Sequence, residues 1–155
     1  MSDTSIPVLF GTMTGNARDL AESTAKELTK AGFEAVAKDM AEAKPEDLAG
    51  ASVALFICST WGEGEPPDDA VPYVERLQAE DALNLQGLGY SVCALGDTSY
   101  DIFCGCGKII DERLAAHGAT ALTPRVDCDV DYYDLHADWL RSILEVLGQR
   151  TAAAA

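Results

Sequence analysis

The longest uninterrupted apolar run in this 155-residue chain is VALFIC, residues 53–58. A membrane-crossing helix needs about 20 such residues, so no membrane span is expected. Basic residues are scarce: 11 Lys and Arg stand against 26 Asp and Glu, a formal net charge of −15. A surface of that sign repels nucleic-acid phosphates and anionic lipid and favours basic partners. The two histidines, His117 and His136, both fall in helix-like stretches, which leaves no Ser/His/Asp set and no histidine-based metal site. The five cysteines form no evident framework: CGC (104–106) lacks the two-residue gap of zinc ligation, and Cys58 and Cys93 read as small buried hydrophobes in strands. No metal and a reducing cytoplasm are the expectation. The opening MSDTSIPVLF has neither a basic region nor a long apolar segment, so no signal peptide is read there.

What the chain does have is alternation. IPVLFG (6–11), EAVAKD (34–39), SVALFIC (52–58), YSVCALG (90–96) and ATALTPRV (119–126) read as strands. Between and after them lie amphipathic stretches at 16–31, 44–50, 68–79, 103–117 and 132–147. Gly32 and Gly118 stand where helices stop, and Pro124 points to an edge position for the fifth strand. The pattern predicts one α/β domain over residues 1–150, a doubly wound open parallel sheet, with a disordered tail at 151–155. In such sheets ligands bind beyond the carboxyl ends of the strands, at the switch point in strand order. That gathers three loops: GTMTGN (11–16), STWGEGEPPDD (59–69) and LGDTSYD (95–101).

The first loop has hydroxyls at Thr12 and Thr14, a glycine at Gly15 and a helix start at Asn16, which together suit a phosphate. It holds no Lys or Arg; Arg18 lies one turn into the helix. Ordinary capping by Asn16 and Asp19 is the plainer alternative. Rival phosphate motifs fail on spacing: no Gly-Lys-Ser/Thr ending follows the loop, and GEGEPP and GCGKII both miss G-x-G-x-x-G. A phosphatase loop needs an arginine six residues after its cysteine, where Cys58 meets Gly64. Trp61 and Tyr100 each open from a loop at a strand's carboxyl end; as a pair they suit a flat ring system. A planar ligand with one phosphate, such as FMN, fits these loops together.

GTMTGNA, STWGEGEPPDDA, LGDTSYDIFCGCGK and RVDCDVDY resemble, in order, four signature stretches of flavodoxin-like FMN domains. The resemblance spans about residues 7–147 and is nearest to the FMN domain of sulfite reductase flavoprotein and cytochrome P450 reductase and to short-chain flavodoxins of the MioC type. It implies a three-layer sandwich with five parallel strands in the order 2-1-3-4-5. It assigns Thr12, Met13, Thr14, Gly15, Asn16 and Ala17 to the phosphate, and Ser59, Thr60, Trp61 and Gly62 to one face of the isoalloxazine. Leu95, Gly96, Asp97, Tyr100, Phe103 and Cys104 belong to the loop on the other face, with Tyr100 stacking and Asp97 near the pyrimidine end. Trp61 departs from near relatives, which often carry Gln or Tyr there. The Gly62 peptide turns without a side-chain penalty, so its carbonyl can meet a protonated flavin N5.

The implied function is one-electron carriage by FMN, with no catalytic residues and no substrate chemistry of its own. The reductase region of two-flavin relatives does not follow, so electrons are expected from a separate, basic, flavodoxin/ferredoxin-type NADPH reductase and pass to a redox acceptor protein. A monomer is expected. Three alternatives stay open: a flavin enzyme acting on a small substrate, an FMN-free interaction module, and the excised FMN domain of a diflavin reductase. One further pattern concerns partners. Residues 59–69, 96–105 and 127–134 hold ten of the 26 acids and no Lys or Arg, so an acidic collar is expected around the flavin edge.

Overall fold

The computed structural model describes residues 5–11, 16–48, 52–59, 70–78, 84–95, 105–123, 125–128 and 133–154. Among the described residues there are six strands: β1 (Ser5–Gly11), β2 (Glu34–Asp39), β3 (Val53–Ser59), β4 (Gly89–Leu95), β5 (Thr120–Ala121) and β6 (Val126–Cys128). Four α-helices accompany them: α1 (Asn16–Lys30), α2 (Val71–Gln78), α3 (Gly105–Ala116) and α4 (Tyr133–Ala154). Two 3-10 turns, at 40–42 and 45–48, stand where the sequence suggests one short helix at 44–50.

Every strand pairing is parallel, and the order is β2-β1-β3-β4-β5, with β6 also on β4. The expected doubly wound sheet is thus present. Its central strands are apolar because helices cover both faces. Ala54, Phe56 and Cys58 of β3 pack with Tyr73, Leu77, Ile110 and Leu114 of α2 and α3. Val53, Leu55 and Ile57 point the other way, towards Leu20 and Leu28 of α1 and Trp139 and Ile143 of α4.

Both predicted helix stops hold. Gly32 and Gly118 adopt positive φ (98° and 103°), which a Cβ would strain. The amides that follow reach back five residues, Phe33 to the Leu28 carbonyl and Ala119 to the Leu114 carbonyl, at 3.0 and 3.1 Å.

Two elements differ from the sequence reading. The fifth strand is broken: β5 pairs Tyr90 with Ala121, and β6 resumes with Cys93 against Val126. Five residues therefore advance against three on β4, a bulge in the segment whose sequence includes Pro124, a residue with no amide hydrogen to give a ladder. At the other end α4 continues past 147 to Ala154, through residues the sequence reading leaves as a tail. The alanines that end the chain have the highest helix propensity of any residue, so they extend a helix already nucleated.

The α1/α4 side encloses a small polar network. Trp139 Nε1 donates to Ser91 Oγ at 2.8 Å, and Ser91 Oγ lies 2.5 Å from Thr123 Oγ1. Thr24 donates its hydroxyl to the Leu20 carbonyl at 2.7 Å, so the 2.8 Å contact with His136 must be His136 Nε2 donating to Thr24 Oγ1.

Candidate cofactor site

The parallel arrangement puts the strand carboxyl ends on one side; the register makes the ends of β3, β4 and β6 level, with β1 ending one residue before them. Gly11 pairs with Cys58, Ser59 with Leu95, and Leu95 with Cys128. From this row the chain leaves for the starts of α1, α2, α3 and α4. The helix N-termini therefore lie at this edge of the sheet, and helix N-termini carry a partial positive charge that favours an anion.

Two close approaches fix the helix starts. A Cβ on Gly11 would fall 2.8 Å from the Cβ of Ala70, which opens the α2 segment. A Cβ on Gly107 would fall 2.2 Å from the Cβ of Ala94 and 3.2 Å from its Cα, so α3 presses directly on β4 near its end. Both glycines work by having no side chain.

Arg18 is the basic residue nearest the first loop in sequence. It pairs with Asp39 at 3.6 Å, with its guanidinium carbon 5.5 Å from the centre of the Phe10 ring. Its charge is thereby engaged on the β1/β2 side.

Of the predicted site residues, Ala17 and Leu95 are buried in the α1/α4 core. Asn16 opens α1 and Ser59 closes β3. Thr12, Met13, Thr14, Gly15, Thr60, Trp61, Gly62, Gly96, Asp97, Tyr100, Phe103 and Cys104 lie outside the described residues.

Sequence reasoning missed three features. Arg125 clamps the last strand: its Nη1 meets Asp111 Oδ2 of α3 at 2.6 Å, and its Nε meets Asp127 Oδ1 at 2.8 Å. Tyr90 donates to Asp111 Oδ1 at 2.7 Å, completing the cluster. The Arg-x-Asp spacing at 125–127 is its one local trace. Second, Gly107 looks in sequence like any small residue at a helix start. Third, Cys58 is buried as expected but is disulfide-bonded, a correction to the expectation of no disulfide framework and to the reducing setting inferred from it. Cysteine pairing follows the tertiary fold, and spacing alone does not reveal it. Cys93 and Cys128, on the opposite face, meet sulfur to sulfur at 3.7 Å, and that hydrogen bond draws the Cys128 thiol down.

Among the described residues no cluster of three or more His, Cys, Asp or Glu is placed to hold a metal, and no helix is long and apolar enough to cross a membrane.

A parallel sheet ordered β2-β1-β3-β4-β5 with helices on both faces defines a doubly wound α/β protein. The chain belongs to the flavodoxin family, whose profile matches residues 8–139. Members of that family bind FMN and carry electrons, and the chain is an FMN-binding electron carrier of this class. It is 43% identical over 150 residues to the sulfite reductase [NADPH] flavoprotein alpha-component of Bacillus subtilis, covering 97% of this chain and 25% of that protein. The Shewanella sp. (strain MR-4) protein of the same name is 40% identical over 142 residues, 92% of this chain and 24% of its own length. The chain thus spans about a quarter of these relatives. Among solved structures, a Streptococcus pneumoniae flavodoxin superposes with TM-score 0.82 at 28% identity, covering 94% of this chain and 99% of that one. A cysteine-to-serine mutant of a Pseudomonas aeruginosa flavodoxin gives 0.80 at 28% identity, with 93% and 99% covered.

The framework fits FMN. The α1 N-terminus stands at the junction of β1 and β3, where the strand order reverses, the position at which an open α/β sheet would take an anionic group.

Proposed function

We propose that residues 12–17 bind the FMN phosphate, that residues 59–62 and 95–104 enclose the isoalloxazine, and that Trp61 and Tyr100 stack on its two faces. The observation that supports this reading is the register Gly11, Cys58, Ala94 and Asp127, which ends β1, β3, β4 and β6 within about one residue of each other at one edge of the sheet. FMN supplies two separable one-electron steps when bound. The protein's part is to hold the ring in a water-poor slot, to place the Gly62 carbonyl where N5 takes a proton, and to surround the ring with carboxylates.

The electron donor we propose is an NADPH-dependent flavoprotein reductase on another polypeptide, and the acceptor a redox protein. The likeness to solved flavodoxins at TM-scores of 0.82 and 0.80 supports a separate donor. A second reading, a domain working beside its own reductase modules, is favoured by 43% identity to a flavoprotein of which the chain covers 25%. In either arrangement the chain performs no chemistry on an organic substrate, and a cytoplasmic setting suits its partners. The acids of residues 59–69, 96–105 and 127–134 form the docking collar for a basic face.

Steered encounters weaken as the Debye length falls from about 10 Å at ~0.1 M salt to about 3 Å at ~1 M. Stopped-flow reduction of the FMN-loaded protein by a flavodoxin reductase and NADPH therefore slows steeply with salt. The Glu65→Lys/Asp69→Lys variant slows it at low salt while keeping FMN. A rate indifferent to both leaves the collar a solubility feature; no reduction by any such reductase removes the donor assignment.

A further inference from the structure

β2 is an outer strand of the sheet, paired on one side to β1 over Ser5–Phe10 and Glu34–Asp39 without a bulge. Its other side presents backbone amides and carbonyls with no strand partner among the described residues. Proteins guard such edges with proline, bulges, short strands or charged side chains. β2 has no proline and no bulge, and of its three charges Glu34 and Lys38 are complementary to each other while Asp39 pairs with Arg18.

Its side chains divide cleanly. Ala35 and Ala37 pack inward against the α1/α4 core, while Glu34, Val36 and Lys38 are exposed on the other face. Val36 is 45% exposed, one of two large hydrophobics so exposed among the described residues. Neither Glu34 nor Lys38 has an ion-pair partner there.

We propose that this edge binds a second copy of the chain. Turned antiparallel about a two-fold axis through Val36, the strand is its own complement. Glu34 faces Lys38 of the other copy, Lys38 faces its Glu34, and Val36 meets Val36 between the two ion pairs. On the opposite face Ala35 meets Ala37, small enough to let the backbones close. The two-fold makes the contact isologous and closed, so it ends at a dimer. The ladder hydrogen bonds of an added strand supply the adhesion, and the matched pairs set the register.

Charge distribution favours the same edge. Residues 16–44, which contain α1 and β2, carry six acids (Asp19, Glu22, Glu27, Glu34, Asp39, Glu42) against five bases (Arg18, Lys26, Lys30, Lys38, Lys44). Nearly all of the net −15 therefore lies elsewhere. Two strongly acidic molecules meet with least repulsion along this flank. Antiparallel pairing also points the carboxyl ends of the two sheets in opposite directions, so each crevice stays open to its own partner. The dimer stands in place of the monomer expected from sequence, and it does not depend on the assignment of the flavin loops.

Sedimentation equilibrium of the FMN-loaded protein, from low-micromolar to several hundred micromolar, tests it. The wild type shows a concentration-dependent dimer. Glu34→Lys and Lys38→Glu each place like charges opposite one another and raise the dissociation constant about tenfold. An equimolar mixture of the two single variants regains wild-type association as a heterodimer, and the Glu34→Lys/Lys38→Glu double variant regains it alone. Far-UV circular dichroism and the flavin spectrum stay unchanged throughout, because these side chains are exposed. A wild type that remains monomeric overturns the proposal. So does a dimer whose strength ignores both single variants, or one that mixing does not restore.

Discussion

Gly107 and Ala94 are in such close register that a single added carbon on the glycine would lie 2.2 Å from the alanine Cβ. Real Cβ atoms do not approach so near, so α3 would have to lift off β4. Gly107→Ala is expected to destabilise the fold by about 1–3 kcal/mol, the range for overpacking a dense core. It should also weaken FMN, since the loop at 95–104 runs directly into α3. Gly148 is the control: it lies inside α4 with nothing within 4 Å of a built Cβ. Gly148→Ala should stabilise by roughly 0.5–1 kcal/mol. Urea unfolding and FMN titration of both variants check the contrast.

The Arg125 clamp joins α3 to the strand that resumes after the bulge. Removing the guanidinium leaves Asp111 and Asp127 facing each other's charge in a partly buried setting, each side chain about a quarter exposed. Arg125→Met is expected to cost roughly 1–3 kcal/mol, less than a fully buried pair because water still reaches the cluster. Adding Asp111→Asn and Asp127→Asn should recover part of that loss. Denaturation midpoints of the single and triple variants measure it.

His136 gives the fold a pH dependence. Burial pushes its pKa below the ordinary value of 6.5. The unfolded chain therefore takes up a proton at a pH where the folded chain does not, and stability rises with pH through that window. Stability should fall as pH drops from about 7.5 to about 5.5, before most carboxylates titrate. His136→Gln should flatten that slope; an unchanged slope would place its origin elsewhere.

Much of the architecture was legible because local signals and burial agree. Asn16 and Gly32 bracket a periodic helix, VALFIC is too short and too apolar for anything but a covered strand, and EAVAKD matches β2 residue for residue. The broken last strand was not legible, since the bulge exists only relative to the register of β4. The need for Gly107 and the bond at Cys58 were hidden for the same reason: each depends on a neighbour far away in sequence. In sequence, EAVAKD reads only as a strand. The mutual complementarity of Glu34, Val36 and Lys38 becomes visible only once β2 is known to be outermost.

Trp61 and Gly62 separate two roles in the crevice. Trp61→Ala should weaken FMN by about 1–3 kcal/mol, by analogy with aromatic–base stacking, and raise the potential of the second reduction step. Gly62→Val should spare binding more, while narrowing the gap between the two one-electron steps, because the peptide no longer turns freely. Wild-type affinity and potentials in both variants would remove these assignments.

The central claim is that the chain is an FMN-dependent one-electron carrier, and stepwise reductive titration of the FMN-loaded protein, followed by absorption, tests it most directly. The account predicts a yellow protein that binds one FMN, quenches its fluorescence, and passes through a distinct half-reduced spectrum before bleaching. A colourless protein that ignores added FMN, or a bound flavin that takes both electrons in one step, would contradict it.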